Sequence, residues 1–154
     1  MIDKFLDKIL INLKNSKNYF YLNNDKKFTY KYAYKKLLKL NFFFSGQDKK
    51  KIALFSDKSV DYYIAVLGIF LSGNTWVQIS PGLPLKKIKE IIKFSKIKIG
   101  IYDQSFNNIN IFNIKKIKIY KLTDLFNLKS EKKFSSFSKI KKNDTSCIFF
   151  TSGS

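Results

Sequence analysis

Arginine and histidine are missing altogether from these 154 residues, cysteine occurs once, at Cys147, and proline only at Pro81 and Pro84. Each absence removes a class of chemistry. Without histidine there is no Ser-His-Asp or Cys-His nucleophile system and no imidazole to shuttle protons near neutral pH. One cysteine and no histidine exclude zinc sites of the usual composition, and a lone cysteine excludes an internal disulfide framework. Any catalysis in this stretch falls to Lys, Asp, Glu, Ser, Thr or Tyr. Acidic residues are scarce too: 11 stand against 30 basic ones, all lysine, for a formal net charge of +19.

What is present is apolar and aromatic. Hydrophobic residues make up 45% and aromatics 17% of the chain, which excludes disorder over most of its length. The length suits one domain, with a core that needs neither disulfide nor metal. The positive charge invites a polyanion, because lysine clusters neutralise phosphates. A chain selected for nucleic acid would rarely lack arginine, whose fork suits phosphate and guanine. Lys, Ile, Asn, Phe and Tyr all have A- and T-rich codons, so the charge reads as compositional bias, and no nucleic-acid partner is expected.

No leader is expected either, since Asp3 and Asp7 interrupt the apolar residues at the N-terminus. Residues 62–85 carry no charge, but Gly73, Asn74, Gln78, Pro81, Gly82 and Pro84 fit a buried helix, a strand and a turn better than a membrane span. The expected location is cytoplasmic.

Periodicity predicts an amphipathic helix on Ile2, Phe5, Leu6, Ile9, Leu10 and Leu13, packing its stripe on its own domain. A hairpin is expected over residues 19–22 and 27–30, then a helix capped by Thr29 and running to about Phe44. Short apolar runs at residues 51–55, 75–79, 97–102, 117–122 and 146–150 read as strands. Between them lie helices expected over residues 60–72, with Asp57 or Ser59 as N-cap and Gly73 as stop, and over residues 85–95. Residues 127–143 are polar and Lys/Ser-rich and read as a mobile loop. Alternating strands and helices predict an α/β fold with right-handed crossovers and a mostly parallel sheet.

An apolar strand running into Thr151-Ser152-Gly153-Ser154 has a physical meaning. Glycine lets the backbone turn so that successive N–H groups face one concavity, and flanking hydroxyls add donors for phosphate oxygens. On its own such a tetrapeptide is more often an ordinary turn or chain end. It is not a Walker loop, because no Gly-Lys-Ser/Thr follows. Cys147, amid Ile148 and Phe149, reads as a buried, inert thiol. Pro81 and Gly82 read as turn-makers, and Phe42-Phe43-Phe44 as core or interface.

Five blocks in order resemble the adenylate-forming superfamily of AMP-binding synthetases and ligases. Phe28-Thr29-Tyr30 followed by Leu37-Leu38 resembles its "LTYxEL" block. Lys51-Ile52-Ala53-Leu54, Asp57-Lys58-Ser59 and Ala65-Val66-Leu67-Gly68-Ile69 resemble its strand–helix block "VAI…RS…ilaiLk". Residues 71–81, LSGNTWVQISP, are similar to "LkaGaaYvPldP", and Leu83-Pro84-Leu85-Lys86-Lys87-Ile88 to "yPxeRl". Residues 144–154, DTSCIFFTSGS, are similar to the start of "DdlAyiiYTSGSTGxPKG". Gln78 stands where the family has Pro, and Lys87 where it has Arg. The rest of that loop, the later acidic motifs and the C-terminal lysine of the family are not in these residues.

The resemblance implies that residues 1–154 form part of an AMP-binding (adenylation) domain, the first part of its large N-terminal subdomain. It implies ATP and Mg²⁺ and a small-molecule carboxylate, an amino acid or acyl acid, converted to an acyl-adenylate with release of pyrophosphate. Transfer to a thiol, on a carrier phosphopantetheine or CoA, would follow. Leu83-Pro84 and Ser154 lean towards amino-acid adenylation. Thr151, Ser152, Gly153 and Ser154 carry over as the phosphate-binding loop; no catalytic residue and no metal ligand carries over. These residues alone are expected to be inactive. The alternative is a non-catalytic, basic α/β module that binds a partner protein or a polyanion.

Overall fold

The computed structural model describes residues 2–23, 26–44, 49–106, 111, 114, 116–129 and 140–150. The chain opens with α1 (Ile2–Asn15), a hairpin of β1 (Tyr19–Asn23) and β2 (Lys26–Thr29), and α2 (Tyr30–Phe44). There follow β3 (Lys51–Phe55), α3 (Val60–Leu71), β4 (Thr75–Ile79), α4 (Leu85–Ser95), β5 (Ile99–Tyr102), β6 (Lys118–Lys121), α5 (Leu122–Phe126) and β7 (Cys147–Ile148). The last five strands form one sheet in the order β6-β5-β3-β4-β7, parallel at every pairing. The expected α/β class and parallel sheet are both present.

Residues alternate across the sheet as the pleat requires. Ile52 and Leu54 of β3, with Ile99 and Ile101 of β5, join the core formed with α1, α2, α3 and α5. Ala53 and Phe55, with Val77 and Ile79 of β4, join the other core, under Ile88, Ile91 and Ile92 of α4. Both faces being covered explains why these strands read as unbroken apolar runs. From β3 to β4 the chain moves one way along the sheet, and from β4 to β5 it moves back past β3. Crossovers of one hand then put α3 and α4 on opposite faces, which is where they lie.

The uncharged stretch is explained by α3, whose Ile64, Ala65, Ile69 and Leu71 are buried between α2 and the sheet. Gly68 permits that approach: a Cβ there would lie 2.6 Å from Leu40 Cδ1. Among the described residues no helix is long and apolar enough to cross a membrane. Thr29 caps α2, accepting from the Tyr32 amide at 3.2 Å, and Ser59 rather than Asp57 caps α3, accepting from the Tyr62 amide at 3.0 Å. Gly73 stops α3 with φ 73°.

Three boundaries differ from the periodicity reading. Ile97 is not in β5: its amide bonds Ile92 O at 3.1 Å, closing α4 through Lys96 in the left-handed region at φ 54°. The run expected as a strand to Leu122 ends at Lys121, because Leu122, Leu125 and Phe126 turn inward as the short helix α5. That helix has too few residues to show a period. Of the strand expected over residues 146–150, only Cys147 and Ile148 pair, both with β4. In the segment expected as a loop, residues 130–139 lie outside the described residues, while Leu128 and Ile140 on either side pack on the core.

Candidate functional site

All five parallel strands end at one edge, and in such sheets loops at the C-terminal ends of the strands form the ligand crevice. Two structures stand at that edge. They differ in chemistry.

The first closes the crevice between β3 and β5, from which the chain departs in opposite directions. Asp103, directly after β5, is buried and accepts four hydrogen bonds. The donors are the Ser56 hydroxyl, the Ser59 hydroxyl at 3.3 Å, and the amide and hydroxyl of Ser105 at 2.9 and 2.5 Å. Ser105 Oγ in turn accepts from the Asp57 amide at 2.8 Å. Ends of β3 and β5 and the cap of α3 are thus tied by one carboxylate, whose oxygens are used up. A buried carboxylate here disfavours a second anion. Sequence reasoning missed Asp103; the only signal was an acid placed directly after an apolar strand, flanked by serine at residue 105.

The second lies on β4 and β7. Gln78, the residue that departs from the family's proline, accepts from the Tyr62 hydroxyl at 3.0 Å. Burial, chiefly, with the neighbouring Tyr63 and Cys147, pushes the Tyr62 hydroxyl above its ordinary 10.0, so it stays a neutral donor. Trp76 meets the Tyr62 ring edge-on at 6.1 Å and the Phe149 ring at 5.0 Å. Cys147 is half-buried rather than buried, because the outer side of β7 has no partner strand among the described residues.

The chain reaches β7 along a pinned path. Asp144 accepts from the Lys141 amide at 2.6 Å and pairs with Lys49, which together hold its carboxyl below the usual 3.8. Thr75 Oγ1 donates to Thr145 O at 2.6 Å, and the Trp76 amide to Ser146 O at 3.0 Å. It leaves at the C-terminal edge through Phe149 and Phe150. Thr151, Ser152, Gly153 and Ser154 follow at once and lie outside the described residues. Beside that exit, Pro81 and Gly82 form the expected turn, closed by Leu83 N to Ser80 O at 3.1 Å. Among the described residues no group of three or more His, Cys, Asp or Glu gathers to hold a metal.

No curated protein matches the chain. Solved structures do. The N-terminal subdomain of Klebsiella oxytoca NpsA, in complex with 3-hydroxyanthranilyl-AMSN, superposes with TM-score 0.76 at 16% identity, covering 99% of this chain and 37% of that one. The luciferase-like enzyme of the mealworm Zophobas morio gives 0.78 at 17%, covering 96% and 40%. The nonribosomal peptide synthetase FmoA3 in its AMPPNP-bound form gives 0.77 at 12%, covering 96% and 16%. This chain therefore spans well under half the length of each. The family model described as AMP-binding enzyme matches residues 11–154, nearly the entire sequence, and the chain belongs to the AMP-binding enzyme family.

Proposed function

We propose that this chain supplies the phosphate-holding part of an ATP-dependent, carboxylate-activating enzyme. One observation carries the reading: β7, bonded to β4 in a parallel sheet, leaves at the C-terminal edge immediately before Thr151-Ser152-Gly153-Ser154. With the β3–β5 crevice occupied by Asp103, the β4–β7 side is the part of that edge suited to an anion.

In this reading Gly153 lets backbone N–H groups converge, and the hydroxyls of Thr151, Ser152 and Ser154 complete a cradle for the β- and γ-phosphates. The carboxylate oxygen attacks the α-phosphorus, the bond to the β-phosphate oxygen breaks, and pyrophosphate leaves with that electron pair. The loop contributes position and charge stabilisation, not proton transfer, so the absence of histidine costs nothing. Its amide and hydroxyl donors fit phosphate oxygens; Mg²⁺, held largely by the phosphates and water, supplies further charge neutralisation when bound. A carrier or CoA thiol then attacks the acyl carbon, the carbon–oxygen bond to the phosphate breaks, AMP leaves with that electron pair, and the thiol proton passes to water. The AMPPNP complex of FmoA3 and the 3-hydroxyanthranilyl-AMSN complex of NpsA support the choice of nucleotide and of a small carboxylic acid as substrate.

ATP–pyrophosphate exchange with panels of amino acids, aryl acids and fatty acids tests the proposal. These 154 residues alone should give no exchange, and exchange should arise once the remainder of the fold is supplied. Exchange by the 154 residues alone would contradict the division of labour proposed here.

A further inference from the structure

At the N-terminal ends of β4 and β7, opposite the edge described above, the surface opens into a cavity of about 260 Å³. Its walls are segments already tied to the sheet. Gly73 and Asn74 stand directly before β4, and Thr145 and Ser146 directly before β7. Asn74, buried, accepts from the Lys50 amide at 2.9 Å, and Thr75 Oγ1 donates to Thr145 O at 2.6 Å. The beginning of α1 supplies a further wall through Phe5 and Leu6. The cavity is therefore largely preformed, as small-molecule sites usually are.

The lining divides into an apolar floor and a cationic rim. Leu6 is buried, Phe70 and Ile140 pack on the core, and the Phe5 side chain stands 59% exposed beside them. Lys141 and Lys142, both exposed, and Asp144 carry the charge. Asp144 is paired with Lys49, which lies outside the lining, and accepts from the Lys141 amide. Two ammonium groups thus face one carboxylate that already has a cation of its own. The surplus is positive, and it sits next to bare carbon.

An apolar floor takes an apolar tail, and a positive rim selects an anionic end. At roughly 30 Å³ for each water-sized group, the cavity takes about eight carbons. We propose that it is a binding site for a small amphipathic anion, its tail against Phe5, Leu6 and Phe70 and its carboxylate or sulfate head between Lys141 and Lys142. The five residues of β4, about 16 Å of strand, separate this site from the C-terminal edge of the sheet. A bound anion covers the Phe5 ring and braces residues 144–146, from which β7 starts. The site stands on the cavity and its charges, and does not rest on the catalytic reading.

The test titrates the isotope-labelled chain with sodium octanoate and with octyl sulfate, both below micelle formation, and with octanol and octylammonium for comparison. Both anions should bind with Kd on the order of 0.1 mM. They should shift the amides of Phe5, Gly73, Asn74 and Thr145, and slow hydrogen exchange at Cys147 and Ile148 by about threefold or more. Octanol should bind about tenfold more weakly, for want of the charged head. Lys141→Glu with Lys142→Glu should weaken both anions by about tenfold or more and leave octanol unchanged. Phe5→Ser, at a largely exposed position, should weaken anions and octanol alike by about threefold. Equal binding of octylammonium, indifference to the lysine reversal, or shifts gathered at Ser80 to Gly82 and Phe150 would each overturn the proposal, the last by placing the anion at the catalytic edge. Capture of the chain by phosphatidylglycerol vesicles without octanoate binding would overturn it in favour of a membrane surface. Failure of pyrophosphate exchange once the remainder of the fold is supplied removes the catalytic reading and leaves this site standing.

Discussion

The half of the sheet built on β5 and β6 and the half built on β4 and β7 both come from short apolar runs, yet they are held in different ways. On the β6 side each strand pair runs over four registers, a buried carboxylate ties β3 to β5, and α5 seals the outside. On the β7 side two paired residues carry the strand, and its position is set upstream by Thr75, Asp144 and Lys49. The contrast separates a side closed by its own elements from a side whose outer strand has no further partner among the described residues. Regions of low local stability are where ligand loops and docking surfaces are drawn from.

Substitutions probe the contrast in descending order of effect. Leu54→Ala on the central strand, fully buried, should cost about 3 kcal/mol and weaken both halves together, read by chemical denaturation. Asp103→Ala should cost about 2 kcal/mol, because it strands several buried donors, and hydrogen exchange should rise at the ends of β3 and β5 but not at β7. Thr75→Val should cost about 1 kcal/mol or less globally and raise exchange at Cys147 and Ile148 alone. Equal loss of protection at β6 would erase the distinction between the halves.

Acid should act on the same side of the molecule. The Asp144 carboxyl is held below 3.8 by Lys49 and the Lys141 amide, so its contribution is present in full above that value. It is lost as pH falls below 3.8 through the depressed folded value. Protection at β7 should fall in that window in the wild-type chain and be insensitive to it in Asp144→Asn.

The α/β class and the strand–helix alternation were legible because buried parallel strands and amphipathic helices print their period on the sequence, while the α3 cap was narrowed only to Asp57 or Ser59. Asp103 was not, because its partners lie as much as 47 residues away and only the folded β3–β5 pairing brings Ser56 to it. The start of β5 was misplaced for a local reason: Ile97 has the apolar character of a strand residue, but its amide is spent closing α4. Gln78 was visible as a departure from the family pattern, while its bond to Tyr62 was not. Thr151–Ser154 were read as a phosphate loop through resemblance alone, and they lie outside the described residues.

The central claim is that the anion site belongs to the β4–β7 side of the sheet edge. Titrating the isotope-labelled chain with Mg·ATP and following backbone amide shifts tests it most directly. The account predicts weak binding, on the order of millimolar, with shifts concentrated at Ile148, Phe149, Phe150, the four residues beyond them and Ser80 to Gly82. Shifts centred on Ser56 and Asp103, shifts spread over the lysines of α4 and vanishing with salt, or no shifts at all would contradict it.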